Sequence, residues 1–155
     1  MCMYISIHEH EYECMYENIL KNKKIIAVSG THGKTTTTAM IVKILKENKF
    51  NPSYLIGGSP KGGFSSVAIT NSKYFVIEAD EYDTAFFDKR SKFIHYKPDI
   101  VVINNIEYDH ADIFEDTEAI IKSFHHMIRL IPSNGSIVIN KCDANIKKLL
   151  KLGYW

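Results

Sequence analysis

A chain of 155 residues with 45% hydrophobic and 24% charged residues is long enough to bury one real core and has the composition of an ordinary globular domain. Its formal net charge of +1 gives no reason to expect nucleic acid or an acidic membrane surface as a partner. Three cysteines, Cys2, Cys14 and Cys142, form no Cys-x-x-Cys pair, no apolar run approaches the roughly 18 residues that cross a bilayer, and residues 1–10 lack a signal-peptide layout, so the expectation is a cytoplasmic setting.

Residues 1–23 read as a lead-in segment without a clean period. One or two helical turns are expected over residues 13–20. His8, Glu9, His10 and Glu11 look metal-like, but His-x-His without further ligands at strand or helix spacing reads as a solvated polar start.

From residue 24 the order becomes regular. An apolar strand over residues 25–29 breaks at Gly30, and the run Gly30-Thr31-His32-Gly33-Lys34-Thr35-Thr36 leads into a helix over residues 34–48. Strand, glycine loop and helix in that order form an anion site: glycines let backbone N–H groups converge, and the helix N-terminus adds positive potential. In such a loop Lys34 reaches the outer phosphates and the Thr35 hydroxyl ligates Mg²⁺. The usual phosphate-loop pattern has a glycine where this chain has Val28, so the motif is a shorter Gly-x-x-Gly-Lys-Thr variant. The plain alternative is a glycine-rich turn carrying a surface lysine. In the helix, Ile41, Ile44 and Leu45 are expected to face the core, with Lys43, Lys46 and Glu47 opposite.

Asn51-Pro52 closes that helix. Short apolar runs follow at residues 54–56, 67–70 and 74–79, separated by Gly57-Gly58 and a loop over 60–63. Residues 99–104 hold the run Ile100-Val101-Val102-Ile103, hydrophobic at consecutive positions, as in a parallel strand buried on both faces. A second helix over 117–131 carries the stripe Ile120, Ile121, Phe124, Ile128 and Ile131, and Pro132 ends it. Asn134-Gly135 turns into a strand over 136–140, and Asp143 caps a last helix that ends at Gly153. Strands alternating with helices imply an α/β fold, a mainly parallel sheet flanked by helices. The chain then stops at Tyr154-Trp155 without a closing element, so the domain over 24–155 is expected to be incomplete at its C-terminal end.

Two acidic groups follow predicted strands: Glu78-Ala79-Asp80-Glu81, and Asn104-Asn105-Ile106-Glu107-Tyr108-Asp109-His110. In parallel sheets ligands gather at the carboxyl ends of strands, so both should converge on the glycine loop. Hard oxygen ligands beside a phosphate site imply Mg²⁺, and His110 there is a candidate second-metal ligand. Each group has a bland alternative, an acidic turn or a surface histidine. The basic cluster Lys89-Arg90-Ser91-Lys92, between Phe86-Phe87 and Phe93 with Tyr96, either grips a substrate anion or is a solvated loop anchored by its aromatics. The second reading is the plainer one.

Together, Gly-Thr-His-Gly-Lys-Thr-Thr-Thr-Thr at 30–38, Glu-Ala-Asp-Glu at 78–81 and Asn-Asn-Ile-Glu-Tyr-Asp-His-Ala-Asp at 104–112 resemble the central ATP-binding domain of the Mur ligase family. These enzymes form amide bonds in peptidoglycan precursors. The stretch 78–96 is similar to the branch that joins UDP-N-acetylmuramate to the recycled tripeptide L-alanyl-γ-D-glutamyl-meso-diaminopimelate. The alternatives are the branch that adds L-alanine to UDP-N-acetylmuramate, and a non-catalytic nucleotide-binding fragment. The resemblance implies ATP and Mg²⁺ as cofactors and an acyl-phosphate intermediate. It implies that Gly30, Thr31, His32, Gly33, Lys34, Thr35 and Thr36 bind nucleotide, with Lys34 on the β/γ-phosphates. Thr35 and Glu78 would ligate Mg²⁺, with Glu81 as the fallback, and His110 a second metal. Lys34, Glu78 and His110 would then carry the catalysis. Some family members hold the second metal with a modified lysine on the following helix, where this chain offers His125 and, one turn earlier, Lys122. Family members also have an N-terminal uridine-binding domain and a C-terminal domain, which this chain is expected to lack. The resemblance does not fix the oligomeric state.

Overall fold

The computed structural model describes residues 19–58, 65–80, 96–109 and 114–153. The metal-like run His8 to Glu11, the turns expected over 13–18, the loop 60–63, Glu81, the basic cluster 89–92 and His110 lie outside the described residues.

In chain order the elements are β1 (Lys24–Ser29), α1 (Lys34–Glu47), β2 (Ser53–Leu55), β3 (Val67–Ala68), β4 (Tyr74–Glu78), β5 (Ile100–Ile103), α2 (Thr117–Ile128), β6 (Ser136–Ile139) and α3 (Ala144–Lys151). The strands form one six-stranded sheet in the order β3-β2-β4-β1-β5-β6. β2, β4, β1, β5 and β6 pair in parallel, and only β3 runs antiparallel, against β2. The expected α/β fold with a mainly parallel sheet is what forms.

Period-two alternation explains why the central strands read as unbroken apolar runs. Ile25 and Ala27 of β1, Phe75 and Ile77 of β4, and Val101 and Ile103 of β5 enter a core with Ile120, Ile121, Phe124, Met127 and Ile128 of α2 and Ile146 and Leu149 of α3. The intervening Ile26, Val28, Val76, Ile100 and Val102 turn to the other face and meet α1 and Tyr54. Each helix near the second half of the chain starts as the sequence predicts. Asp143 Oδ1 accepts from the N–H groups of Asn145 and Ile146 at 2.8 and 3.0 Å, and Asp116 Oδ1 accepts from Ala119 N–H at 2.8 Å. Gly153 sits at φ 90° just beyond α3, donating to Leu150 O at 3.2 Å.

Two expectations need correction. Ile41 and Leu45 of α1 pack against the core as expected, but its fully buried positions are Thr38 and Val42, and Ile44 is 58% exposed. Lys46 is not on the solvent side: its Nζ lies 3.0 Å from the Tyr54 hydroxyl and 4.6 Å from that ring's centre. The glycine loop fixes the rotational phase of α1, and it turns Thr35 and Thr38 inward. Thr38 is tolerated there because its hydroxyl donates to Lys34 O at 2.8 Å. The strand expected over 67–70 also stops at Ala68. Beyond it the Thr70 N–H bonds Ser53 Oγ at 2.9 Å, so a side chain replaces the ladder.

Candidate functional site

β1 lies between β4 and β5 in the sheet, so the loop after Ser29 leaves the sheet between the carboxyl ends of those two neighbours. Connections diverge there to both sides of β1, which is where open parallel sheets form ligand crevices. Three segments remote in sequence therefore meet: the loop 30–35, Glu78 at the end of β4 with Asp80 beyond it, and residues 104–107 after β5.

The loop is clamped from below by the β5 segment. Thr31 N–H donates to Asn105 O at 3.2 Å, and His32 N–H donates to Asn105 Oδ1 at 2.8 Å. Asn104 Nδ2 donates to His32 O at 3.2 Å and lies 3.0 Å from Thr37 Oγ1. The Thr31 hydroxyl donates to Glu107 O at 3.2 Å and accepts from Glu107 N–H at 2.9 Å. Gly30, at φ 134°, makes this approach feasible: a Cβ there would come within 3.1 Å of Asn104 Cβ and of Asn105 N and O. Gly33, at φ 79°, turns the chain into α1, and no side chain caps the first turn of that helix. An uncapped helix start in a glycine loop suits an anion.

Four polar side chains gather at that start. Lys34 Nζ donates to Gly30 O at 2.8 Å and stands 3.7 Å from Asp80 Oδ1. Thr35 Oγ1 donates to Glu78 Oε2 at 3.1 Å, while Glu78 Oε1 accepts from Gly57 N–H at 2.7 Å. The Glu78 carboxylate is thus aimed by the loop after β2 as well as by its own strand.

Of the residues singled out from sequence, Gly30, Gly33, Lys34, Thr35 and Glu78 come together. Thr31 is buried and spent on the clamp to Glu107. His32 is exposed at the rim, its ring 3.9 Å from the Glu107 carboxylate. Thr36 is exposed on the first turn of α1. His125 does not join the site: its Nε2 lies 2.9 Å from Gly153 O, at the end of α3, and Lys122 is exposed. Sequence reading assigned no role to Asn104, Asn105, Gly57 or Asp80 singly. Their signal was position alone, directly after a strand.

The site tests well against Mg²⁺. The Thr35 hydroxyl and the Glu78 carboxylate are hard oxygen donors of the type Mg²⁺ takes, held side by side by their hydrogen bond. No cluster of three or more His, Cys, Asp or Glu gathers among the described residues. A hydroxyl and one carboxylate match an ion that completes its shell with phosphate oxygens and water.

Comparison with known proteins gives the family. The Mur ligase middle domain matches residues 28–153. The chain is 50% identical over 141 residues to the UDP-N-acetylmuramate–L-alanyl-γ-D-glutamyl-meso-2,6-diaminoheptandioate ligase of Haemophilus influenzae, covering 91% of this chain and 31% of that protein. It is 48% identical to the ligase of the same name from Escherichia coli, with the same coverage. It is also 46% identical over 124 residues to a UDP-N-acetylmuramate–L-alanine ligase of Caldicellulosiruptor saccharolyticus, covering 80% of this chain and 26% of that protein. Among solved structures, a murein peptide ligase from Psychrobacter arcticus 273-4 superposes with a TM-score of 0.78 at 36% identity, covering all of this chain and 37% of that one. A MurF ligase from Thermotoga maritima, solved in complex with ADP, shares the fold at 18% identity and a TM-score of 0.67, over 96% of this chain and 34% of its own. The chain spans about a third of the length of the curated relatives it matches. On the match over residues 28–153 and these identities, the chain belongs to the Mur ligase family.

Proposed function

We propose that this chain is the ATP-binding part of a cytoplasmic ligase that joins UDP-N-acetylmuramate to L-alanyl-γ-D-glutamyl-meso-diaminopimelate in peptidoglycan recycling. The observation that carries the reading is the convergence of Lys34, Thr35 and Glu78 on the uncapped start of α1. The identity of about half to relatives named for that reaction supports the substrate pair.

In this reading the muramate carboxylate attacks the γ-phosphorus of ATP, and ADP leaves. The tripeptide amine then attacks the acyl phosphate carbonyl, expels phosphate and loses a proton. The loop and the first turn of α1 hold the phosphates, and Lys34 places its charge on the β/γ-oxygens. Thr35 and Glu78 would hold Mg²⁺, which when bound spreads the charge that crowds the phosphoryl oxygens. His110 is proposed as a ligand of a second cation, with His110→Ala weakening the binding of a second Mn²⁺ equivalent. The groups assembled among the described residues serve a nucleotide and a cation. The chain alone is therefore expected to bind ATP without ligating the two substrates, because positioning both acceptors supplies much of the rate.

The test is a chimera in which this chain replaces the matching third of the Escherichia coli relative. The expected product is UDP-N-acetylmuramoyl-tripeptide, formed only with ATP and lost in the Lys34→Ala chimera. A folded chimera that instead adds L-alanine would transfer the reading to the other branch. A folded chimera that makes neither product would refute it.

A further inference from the structure

Lys34 and Asp80 come from opposite sides of the loop, one from α1 and one from the turn after β4. The ammonium sits 3.7 Å from Asp80 Oδ1 and donates to Gly30 O at 2.8 Å, so the side chain lies folded against its own loop. The pair is partly shielded, with Lys34 12% and Asp80 34% exposed. The Glu78 oxygens accept from Gly57 N–H and from the Thr35 hydroxyl, neither of them charged.

We propose that Asp80 is a positioning residue that holds Lys34 back against the loop and so makes the site reject nucleotide arriving without a divalent cation. The inference rests on the nucleotide-binding reading above. Among the described residues, two carboxylates, Glu78 and Asp80, and one ammonium, Lys34, stand at the start of α1. A metal-free polyphosphate gains the Lys34 charge only by drawing it away from Asp80. A polyphosphate that carries its own cation neutralises the Glu78 carboxylate and recovers the cost of releasing Lys34. Asp80 thus sets the order of preference, and Lys34 is the group through which it acts.

The experiment is calorimetric titration of the full chain with ADP in EDTA and with ADP in excess Mg²⁺. Wild type, Asp80→Asn, Lys34→Met and the double variant are compared. Asp80→Asn is expected to bind ADP in EDTA about threefold or more tightly than wild type, the size of a partly exposed ion pair. That gain should vanish in the Lys34→Met background, because the two residues act as one unit. A defect in folding cannot produce tighter binding, so the sign separates positioning from damage. No gain for Asp80→Asn, or an equal gain without Lys34, would overturn the inference. If wild type binds no ADP even with Mg²⁺, the nucleotide reading itself fails and takes the inference with it.

Discussion

Thr35 and Glu78 stand 43 residues apart in the chain, yet their side-chain oxygens meet at 3.1 Å. The contact exists because β1 and β4 are neighbours in register, Val28 beside Glu78, and α1 begins six residues beyond Val28 on the same edge of the sheet. The proposed cation site rests on this pair.

Shared use of one ion predicts a specific pattern. Thr35→Val and Glu78→Gln should each weaken ATP binding in Mg²⁺ by about tenfold, roughly 1.4 kcal/mol. The double variant should lose clearly less than the product of the two, since either change already removes the shared ion. Calorimetry on the four proteins gives the coupling directly. Strictly additive losses would place the two residues in separate roles.

Gly30 should resist substitution for a reason independent of ligand. Its φ of 134° strains any residue with a Cβ, and that Cβ would crowd the backbone of Asn105 at 3.1 Å. Gly30→Ala is expected to destabilise the chain by about 2 kcal/mol, read as a lower urea midpoint, and to loosen the clamp under the loop.

Asp143 joins two levels of the structure. One oxygen caps α3, and the other accepts from Ile106 N–H at 3.0 Å, in the segment that braces the loop. Asp143→Ala should cost about 2 kcal/mol of stability, one cap plus one buried amide left unmet. Asp143→Asn keeps an acceptor for the cap and should cost less than half as much. Equal losses from the two variants would contradict this division.

Legibility followed how local each signal was. The Gly30–Thr35 loop, the Asp143 cap and the stripe of α2 are written within a few residues of one another, and the structure forms them as read. On α1, Ile41 and Leu45 were read correctly and Ile44 was not, because residue type favours an isoleucine over Thr38, whose hydroxyl is satisfied internally. The convergence of Glu78 with Thr35 was inferable from strand ends. What aims Glu78, the amide of Gly57, was not, because backbone donors leave no trace in residue type. The same holds for Asn104 and Asn105, whose amides brace the loop through contacts more than 70 residues apart. Asp80 was visible only as part of an acidic run, since its pairing with Lys34 depends on how the turn after β4 folds back.

The claim that this loop is a nucleotide site is tested most directly by one calorimetric comparison, ATP with Mg²⁺ titrated into the wild-type chain and into Lys34→Ala. In the proposed reading Lys34 brings its charge to the outer phosphates, so its loss should weaken binding more than tenfold, about 1.4 kcal/mol or above. Equal ATP affinity for the two proteins would contradict the account.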